Sequence, residues 1–236
     1  MDLSLEERQK IVALYKDLRV SDVRDGMDTL LLHNIGSMSP SIRPLWPTRA
    51  VGFAKTLRYV PWQGTVPALK PEEYWEWVAW YYANVCTDPH GSTIVPGDFL
   101  VIDQGATDVG VMGSANSLAY KHLGVTGIVT NGGVRDSEEL VREKVPCWSA
   151  SLAHKMVQGR LQFEGMHIPV NVGGVTVQPG DVVVADWDGV VVVPIEHARD
   201  VARYGAEEHE RDKVLRGKLY KALSMQPDET VTYPKE

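Results

Sequence analysis

GDFLVIDQGATDVGVMGSANSLAYKHLGVTGIVTNGGVRDSEEL, residues Gly97–Leu140, is the stretch whose reading decides the fold. Asp98–Asp103 is a short apolar run, which predicts a buried strand. The loop Gln104–Gly113 carries three glycines, residues that let backbone and ligand approach closely. Ser114 is placed to N-cap a helix whose apolar face is Ala115, Leu118, Ala119 and Leu123, and Gly124 falls at its C′ position. Gly127–Asn131 reads as a second buried strand, after which Gly132-Gly133 is expected to turn the chain into Val134-Arg135-Asp136. Two sets of loop groups would then meet at the carboxyl ends of neighbouring strands, where open α/β sheets place their ligands.

The rest of the chain sets the class. Its 236 residues, 44% of them hydrophobic, suffice for a sizeable core. No apolar run reaches the ~20 residues that span a bilayer, and Met1–Lys16 is amphipathic rather than signal-like. A net charge of −7 argues against a nucleic-acid backbone as partner. Cys86 and Cys147 form no CxxC pair, which implies reduced thiols and a cytoplasmic protein.

Outward from the central stretch, Ser4-Leu5-Glu6-Glu7 is a capping box, opening a helix with Leu5, Ile11, Leu14, Tyr15 and Leu18 on one face. Ser21 or Asp22 is expected to cap a second helix to Leu32, buried through Val23, Met27, Leu30 and Leu31. Gly36–Pro47 is loop, and Ala50–Tyr59 is strand. Residues 61–96 form an aromatic-rich elaboration, in which Pro71 suits the first position of a helix bearing Tyr74, Trp75, Trp77, Trp80, Tyr81 and Tyr82. Core or subunit contact explains these aromatics better than base stacking, because their neighbours are acidic. Val95-Pro96-Gly97-Asp98 recurs as Gln178-Pro179-Gly180-Asp181, each a type II turn launching an apolar strand, which argues for one mixed α/β domain over residues 1–236. Val190–Val193 is another buried strand. A charged helix follows over about residues 195–217, with Ala198, Val201, Ala202 and Ala206 on its inner side.

Among chemical candidates, Arg135-Asp136 is the sharpest. An arginine fork holds a carboxylate at two points, and a neighbouring aspartate can hold a hard divalent cation. The competing readings are a capping box at Asp136-Ser137-Glu138-Glu139 for the aspartate and a surface ion pair for the arginine. The N–H groups of Gly113, Ser114, Ala115 and Asn116 at a helix start suit an anion, unless Ser114 merely caps them. Asp186-Trp187-Asp188-Gly189 reads as a carboxylate pair or as a turn. There is no P-loop, HExxH or G-x-S-x-G pattern, which excludes the usual nucleotide, zinc-hydrolase and α/β-hydrolase signals.

Taken together, Gly97-Asp98…Asp103, the Gly113-led helix start, Gly127–Asp136 and Pro179–Asp186…Asp188-Gly189-Val190…Pro194 resemble the RraA-like family. That family includes 4-hydroxy-4-methyl-2-oxoglutarate aldolases and the RraA regulators of ribonuclease E. The resemblance implies a swivelling β/β/α fold of the α/β class, assembled as a homotrimer or homohexamer. It also implies a lyase acting on a small oxo-acid with Mg²⁺ or Mn²⁺, by retro-aldol release of pyruvate or by decarboxylation of an oxaloacetate-type acid; the alternative is a non-catalytic, protein-binding regulator. On this resemblance Arg135 grips substrate, Asp136 holds metal, and Gly113–Asn116 receive the substrate carboxylate. The family's aldolases carry an aspartate where this chain has Ser114, which places Ser114 among the catalytic positions but removes a base. The acidic group that the family draws from a neighbouring subunit has Glu207, Glu208 and Glu210 as candidates.

Overall fold

The computed structural model describes residues 3–87 and 91–232. In chain order its elements are α1 (Leu5–Leu14), α2 (Val20–Thr29), β1 (Arg43–Pro44), β2 (Ala50–Pro61), α3 (Tyr74–Asn84), β3 (Asp98–Asp103), β4 (Gly110–Met112), α4 (Ser114–His122) and β5 (Gly127–Val134). They continue with α5 (Ser137–Arg142), β6 (Cys147–Leu152), β7 (Leu161–Met166), β8 (Val170–Val172), β9 (Val175–Val177), β10 (Val182–Ala185), β11 (Val190–Val193) and α6 (Ala198–Ala222). One curled sheet runs β1-β6-β5-β3-β2-β10-β11, with β4 added beside β5 and β7 beside β2; β8 and β9 form a separate hairpin.

The apolar runs are continuous because both faces of the sheet are covered. Leu57, Leu100, Ile102 and Ile128 face a layer that includes Trp77, Tyr81, Tyr120 and Leu140. Their alternate neighbours Phe99, Val101 and Val129 pack with Trp148 and the β8–β9 valines. Phe53, Val182 and Val184 carry the helical layer of Ile11, Val23, Met27, Val201 and Ala202.

The two Pro-Gly turns have the same job. Gly97 and Gly180 sit at φ +95° and +90°, backbone that glycine adopts without strain. Asp98 and Asp181 each accept the backbone N–H three residues earlier, from Val95 and Gln178, both at 2.8 Å. The strands they launch dock on opposite edges of β2 at Phe53, β3 parallel and β10 antiparallel.

Several expectations are corrected. The Ser4–Glu7 capping box forms, but α1 stops at Leu14, and Leu5 and Leu14 are exposed while Ile11, Tyr15 and Leu18 are buried. Arg19, not Ser21 or Asp22, is the N-cap of α2; Asp22 closes the box from inside the helix, accepting the Arg19 N–H at 2.7 Å. This helix ends at Thr29, which leaves Leu31 exposed at positive φ. The glycine loop after β3 contains a strand, β4. Gly132-Gly133 do not turn the chain: β5 runs through them, with an irregular register against β6. In α4 the face turned inward is Ser117 and Tyr120, while Ala115, Leu118, Ala119 and Leu123 are exposed. Helix α6 runs through Gly217 to Ala222. The aromatics of α3 divide, with Trp77 and Tyr81 in the core and Trp75 and Trp80 exposed; residues 88–90 of that elaboration lie outside the described residues. Asp186-Trp187-Asp188-Gly189 is a turn between β10 and β11, its Asp186 carboxylate accepting the Asp188 N–H at 2.8 Å.

Candidate active site

Parallel pairing of β4 with β5 brings Gly113 and Arg135 together. Met112 is registered with Val134, and the Arg135 N–H donates to the Met112 carbonyl at 2.9 Å. Helices α4 and α5 therefore start side by side. The loop before β4 is held down by Gln104, fully buried, whose side-chain amide donates to the Val109 carbonyl at 2.9 Å. Asn131 ties the same loop to β5: its side-chain oxygen accepts the Gln104 N–H at 2.9 Å, and its amide donates to Asp103 at 2.8 Å.

Asp136 adopts the left-handed conformation, φ 54° and ψ 41°, and makes no capping bond to α5. The capping-box reading of this residue is thereby overturned. Its carboxylate reaches back across the strand ends instead. Oδ2 accepts the Ser114 backbone N–H at 3.1 Å and faces the Ser114 hydroxyl at 3.3 Å, while Oδ1 meets Arg135 Nε at 3.1 Å. Burial pushes the Asp136 carboxyl up, but the Ser114 N–H and the adjacent guanidinium outweigh it and hold the group below its usual value. It is ionised at neutral pH.

Ser114 is also not the cap of α4. Gly113 is, closed by Asn116, whose Oδ1 accepts the Gly113 N–H at 2.8 Å. Of the donors at this helix start, Gly113 and Ser114 are thus engaged within the protein. The Ala115 and Asn116 N–H groups have no protein acceptor among the described residues. The terminal amino groups of Arg135 are likewise without a protein acceptor among the described residues.

Side-chain room explains the glycine at 113. A Cβ there would meet Asp136 Oδ2 at 2.7 Å and Arg135 Cγ at 3.0 Å. Only a bare backbone lets the carboxylate sit against the start of the helix.

Gly113, Ala115, Arg135 and Asp136 line a cavity of about 500 Å³ together with Asn116, Tyr59, Tyr82 and Met156, and Ser114 lies behind Asp136 rather than in the lining. Tyr82 was legible only as one of many helix aromatics. Its hydroxyl accepts from Gln158 Nε2 at 2.8 Å, which leaves its own proton free to donate. Burial raises the Tyr82 phenol above its usual value, with Arg135 opposing. Glu207, Glu208 and Glu210 do not line the cavity; on α6 they approach Arg203, Arg211 and Lys213.

Comparison with known proteins places the chain. A family model described as RraA-like, Aldolase/RraA, matches residues 20–192. The chain belongs to the RraA-like family. This RraA-like protein is 33% identical over 124 residues to an uncharacterized protein of Methanocaldococcus jannaschii, covering 50% of this chain and 58% of that one. It is 29% identical over 121 residues to a Halalkalibacterium halodurans protein provisionally named a 4-hydroxy-4-methyl-2-oxoglutarate aldolase, covering 50% and 56%. The matched stretch thus spans little more than half the length of these relatives. The fold is similar to Streptomyces coelicolor RraAS2, described as an unusual member of the RNase ES inhibitor RraA protein family, with TM-score 0.67, 26% identity and coverage of 88% and 96%. The mixed α/β architecture, a curled half-barrel sheet with flanking helices, is that of RraA-like structures. Among the described residues no helix is long and apolar enough to cross a membrane.

Proposed function

We propose that this RraA-like protein is a divalent-metal-dependent carbon–carbon lyase acting on a small oxo-acid, with its active site in the cavity of Arg135 and Asp136. The observation that carries the reading is the Asp136 carboxylate, turned away from its own helix and held ionised beside an arginine whose terminal amino groups have no protein acceptor among the described residues.

The donor set fits Mg²⁺ or Mn²⁺. Among the described residues no three acidic, histidine or cysteine side chains converge as a closed cage. Mg²⁺ is commonly held by one or two carboxylates, with water and substrate oxygens completing its shell. Asp136 would hold it, and the ion would polarise the 2-oxo group and offset the negative charge that develops there on bond cleavage. Arg135 binds the substrate carboxylate by its fork. The free N–H groups of Ala115 and Asn116 supply a second anion contact at the positive end of α4. The Tyr82 hydroxyl, protonated at neutral pH, would donate its proton to the carbon left by cleavage and regain one from solvent, to which the ring is partly exposed.

Ser114 shapes the reaction. Retro-aldol cleavage needs a base for the substrate hydroxyl, and a serine hydroxyl near a carboxylate is a poor one. Decarboxylation of a 3-carboxylated 2-oxo acid needs only charge stabilisation and a proton donor. The residues present therefore favour decarboxylation over aldol cleavage. The same missing base supports the second reading, a non-catalytic regulator resembling RraA. We place the site beside a contact between copies in a homotrimer or homohexamer, since the exposed apolar face of α4 begins at the cavity rim. A pyruvate-release assay over oxo-acids, with and without Mn²⁺, separates the readings: metal-dependent turnover supports the lyase, and none on any substrate supports the regulator.

A further inference from the structure

A second cavity, of about 440 Å³, lies where α1 crosses the start of β3, and Lys55, Arg8, Asp98 and His167 line it. It is remote from the first. Asp98 opens β3 and Arg135 follows the last residue of β5, and these two strands run parallel, so the two cavities sit toward opposite ends of the sheet.

Among the described residues, the charges in this cavity do not balance. Asp98 is already engaged by other partners: Oδ1 takes Arg8 at 2.5 Å and Oδ2 takes the Val95 N–H at 2.8 Å. Arg8 and Asp98 cancel, and the Arg8 guanidinium lies over the Phe53 ring at 4.5 Å. Lys55 remains. It is 4% exposed, and its hydrogen bond, at 2.6 Å, goes to the neutral Thr93 carbonyl. An ammonium offers three donors. Two of them have no acceptor among the described residues, and buried charges are ordinarily paired. Arg8 Nε, also buried, has no partner in the same wall. Burial depresses the Lys55 amine, and the pull of Asp98 does not offset it, as expected of a cation short of a counter-charge.

We propose that the Lys55 cavity is a second ligand site, for a small carboxylate bearing one negative charge and an apolar end. A single unbalanced cation calls for a single negative charge. Leu3, Phe53, Val95 and Ile195 make part of the lining hydrocarbon, which suits a short alkyl tail. The carboxylate would accept from Lys55 Nζ and Arg8 Nε, and the exposed His167 and Leu5 stand at the mouth.

Titration calorimetry of the full chain with butyrate in chloride-free buffer tests this, with inorganic phosphate as a second arm. One butyrate per chain is expected. A Lys55→Met variant should bind about tenfold more weakly or worse, since a charge-assisted hydrogen bond is lost. An Arg135→Ala variant should bind butyrate as wild type does, because the site is not the catalytic one. No binding at millimolar butyrate, unchanged affinity in Lys55→Met, lost affinity in Arg135→Ala, or tighter binding of phosphate than of butyrate would each overturn the proposal. Should Lys55→Met fail to fold, acetylation of Lys55 in the wild type, followed by peptide mass spectrometry, decides. Butyrate must slow it; an unchanged rate overturns the site.

Discussion

The Asp136 carboxylate and the Ser114 backbone N–H lie 3.1 Å apart, although the two residues belong to different strand–helix units. This bond joins the two halves of the candidate site. It exists because parallel β4 and β5 end together, and because Asp136 takes a left-handed backbone that turns its side chain away from α5. A non-glycine residue held there costs of order 1 kcal/mol, which is a reason to look for function at the position.

Asp136→Asn should weaken Mn²⁺ binding by tenfold or more, about 1.4 kcal/mol, while leaving the fold intact. Calorimetric titration with Mn²⁺, alongside circular dichroism, measures both. Equal affinities in the two proteins would remove Asp136 from the metal site.

Gly113→Ala separates side-chain room from backbone freedom. The residue is extended, φ −132° and ψ −175°, a conformation that alanine also adopts. The new methyl would instead meet Asp136 Oδ2 and displace it. A melting temperature within a few degrees of wild type is expected, about 1 kcal/mol, together with Mn²⁺ affinity reduced as in Asp136→Asn. Undiminished Mn²⁺ affinity would show that the carboxylate need not sit where it does.

Asp22 supplies a pH test of stability. It is 1% exposed and bonds to Arg19 and His209, at 2.7 and 2.9 Å. Burial raises its carboxyl, but the Arg19 side chain and backbone N–H prevail and hold it below the usual value. A group depressed on folding stabilises above its unfolded value, roughly pH 4, and that stabilisation drains away as pH falls through the folded value. Asp22→Asn should therefore cost about 2 kcal/mol at pH 7, a moderate figure because Arg19 is partly exposed. Urea midpoints of the two proteins should converge as pH falls below about 4. A constant gap across that range would mean that the charge contributes nothing.

Assembly can be read by light scattering. Leu118, 43% exposed on α4, and Trp75, 68% exposed on α3, are apolar surface that a second copy would cover. A trimer or hexamer is expected at micromolar concentration, and Leu118→Glu should shift it toward smaller species. A wild-type monomer would contradict the proposed arrangement of the site.

Ser114→Asp places a second carboxylate about where the Ser114 hydroxyl now faces Asp136 at 3.3 Å. Like charges at that spacing repel, so without metal the variant should melt below wild type, and Mn²⁺ should raise its melting temperature by more. If base help is what retro-aldol cleavage lacks, turnover of 4-hydroxy-4-methyl-2-oxoglutarate should rise toward the ~100- to 10,000-fold that such help supplies. A metal-bound variant with unchanged turnover would show that position 114 is not the missing base.

Much of this architecture was legible in the sequence. Apolar runs such as Phe99–Ile102 and Val182–Val184 announce buried strands, and the paired Pro-Gly turns announce the two strands that flank β2. What was hidden is tertiary. Ala115, Leu118, Ala119 and Leu123 have helical spacing, yet the helix turns its small and aromatic residues Ser117 and Tyr120 inward, a choice that the pattern alone does not reveal. Gly132-Gly133 looks like a turn because glycines favour one; burial under Gln104 and beside Ala153 keeps that backbone extended. At the site, Arg135 and Asp136 stood out by type and neighbourhood. Tyr82 did not, because a chain of aromatics in α3 carries no mark of which ring reaches the cavity.

The most direct test of the lyase is pyruvate release from oxaloacetate and from 4-hydroxy-4-methyl-2-oxoglutarate, with and without Mn²⁺, in wild type and Arg135→Ala. The account predicts Mn²⁺-dependent release, faster from oxaloacetate, and a loss of about a hundredfold or more in the variant, since the substrate carboxylate would lose its two-point contact. Release that ignores both Mn²⁺ and Arg135, or no release from either acid, would contradict it.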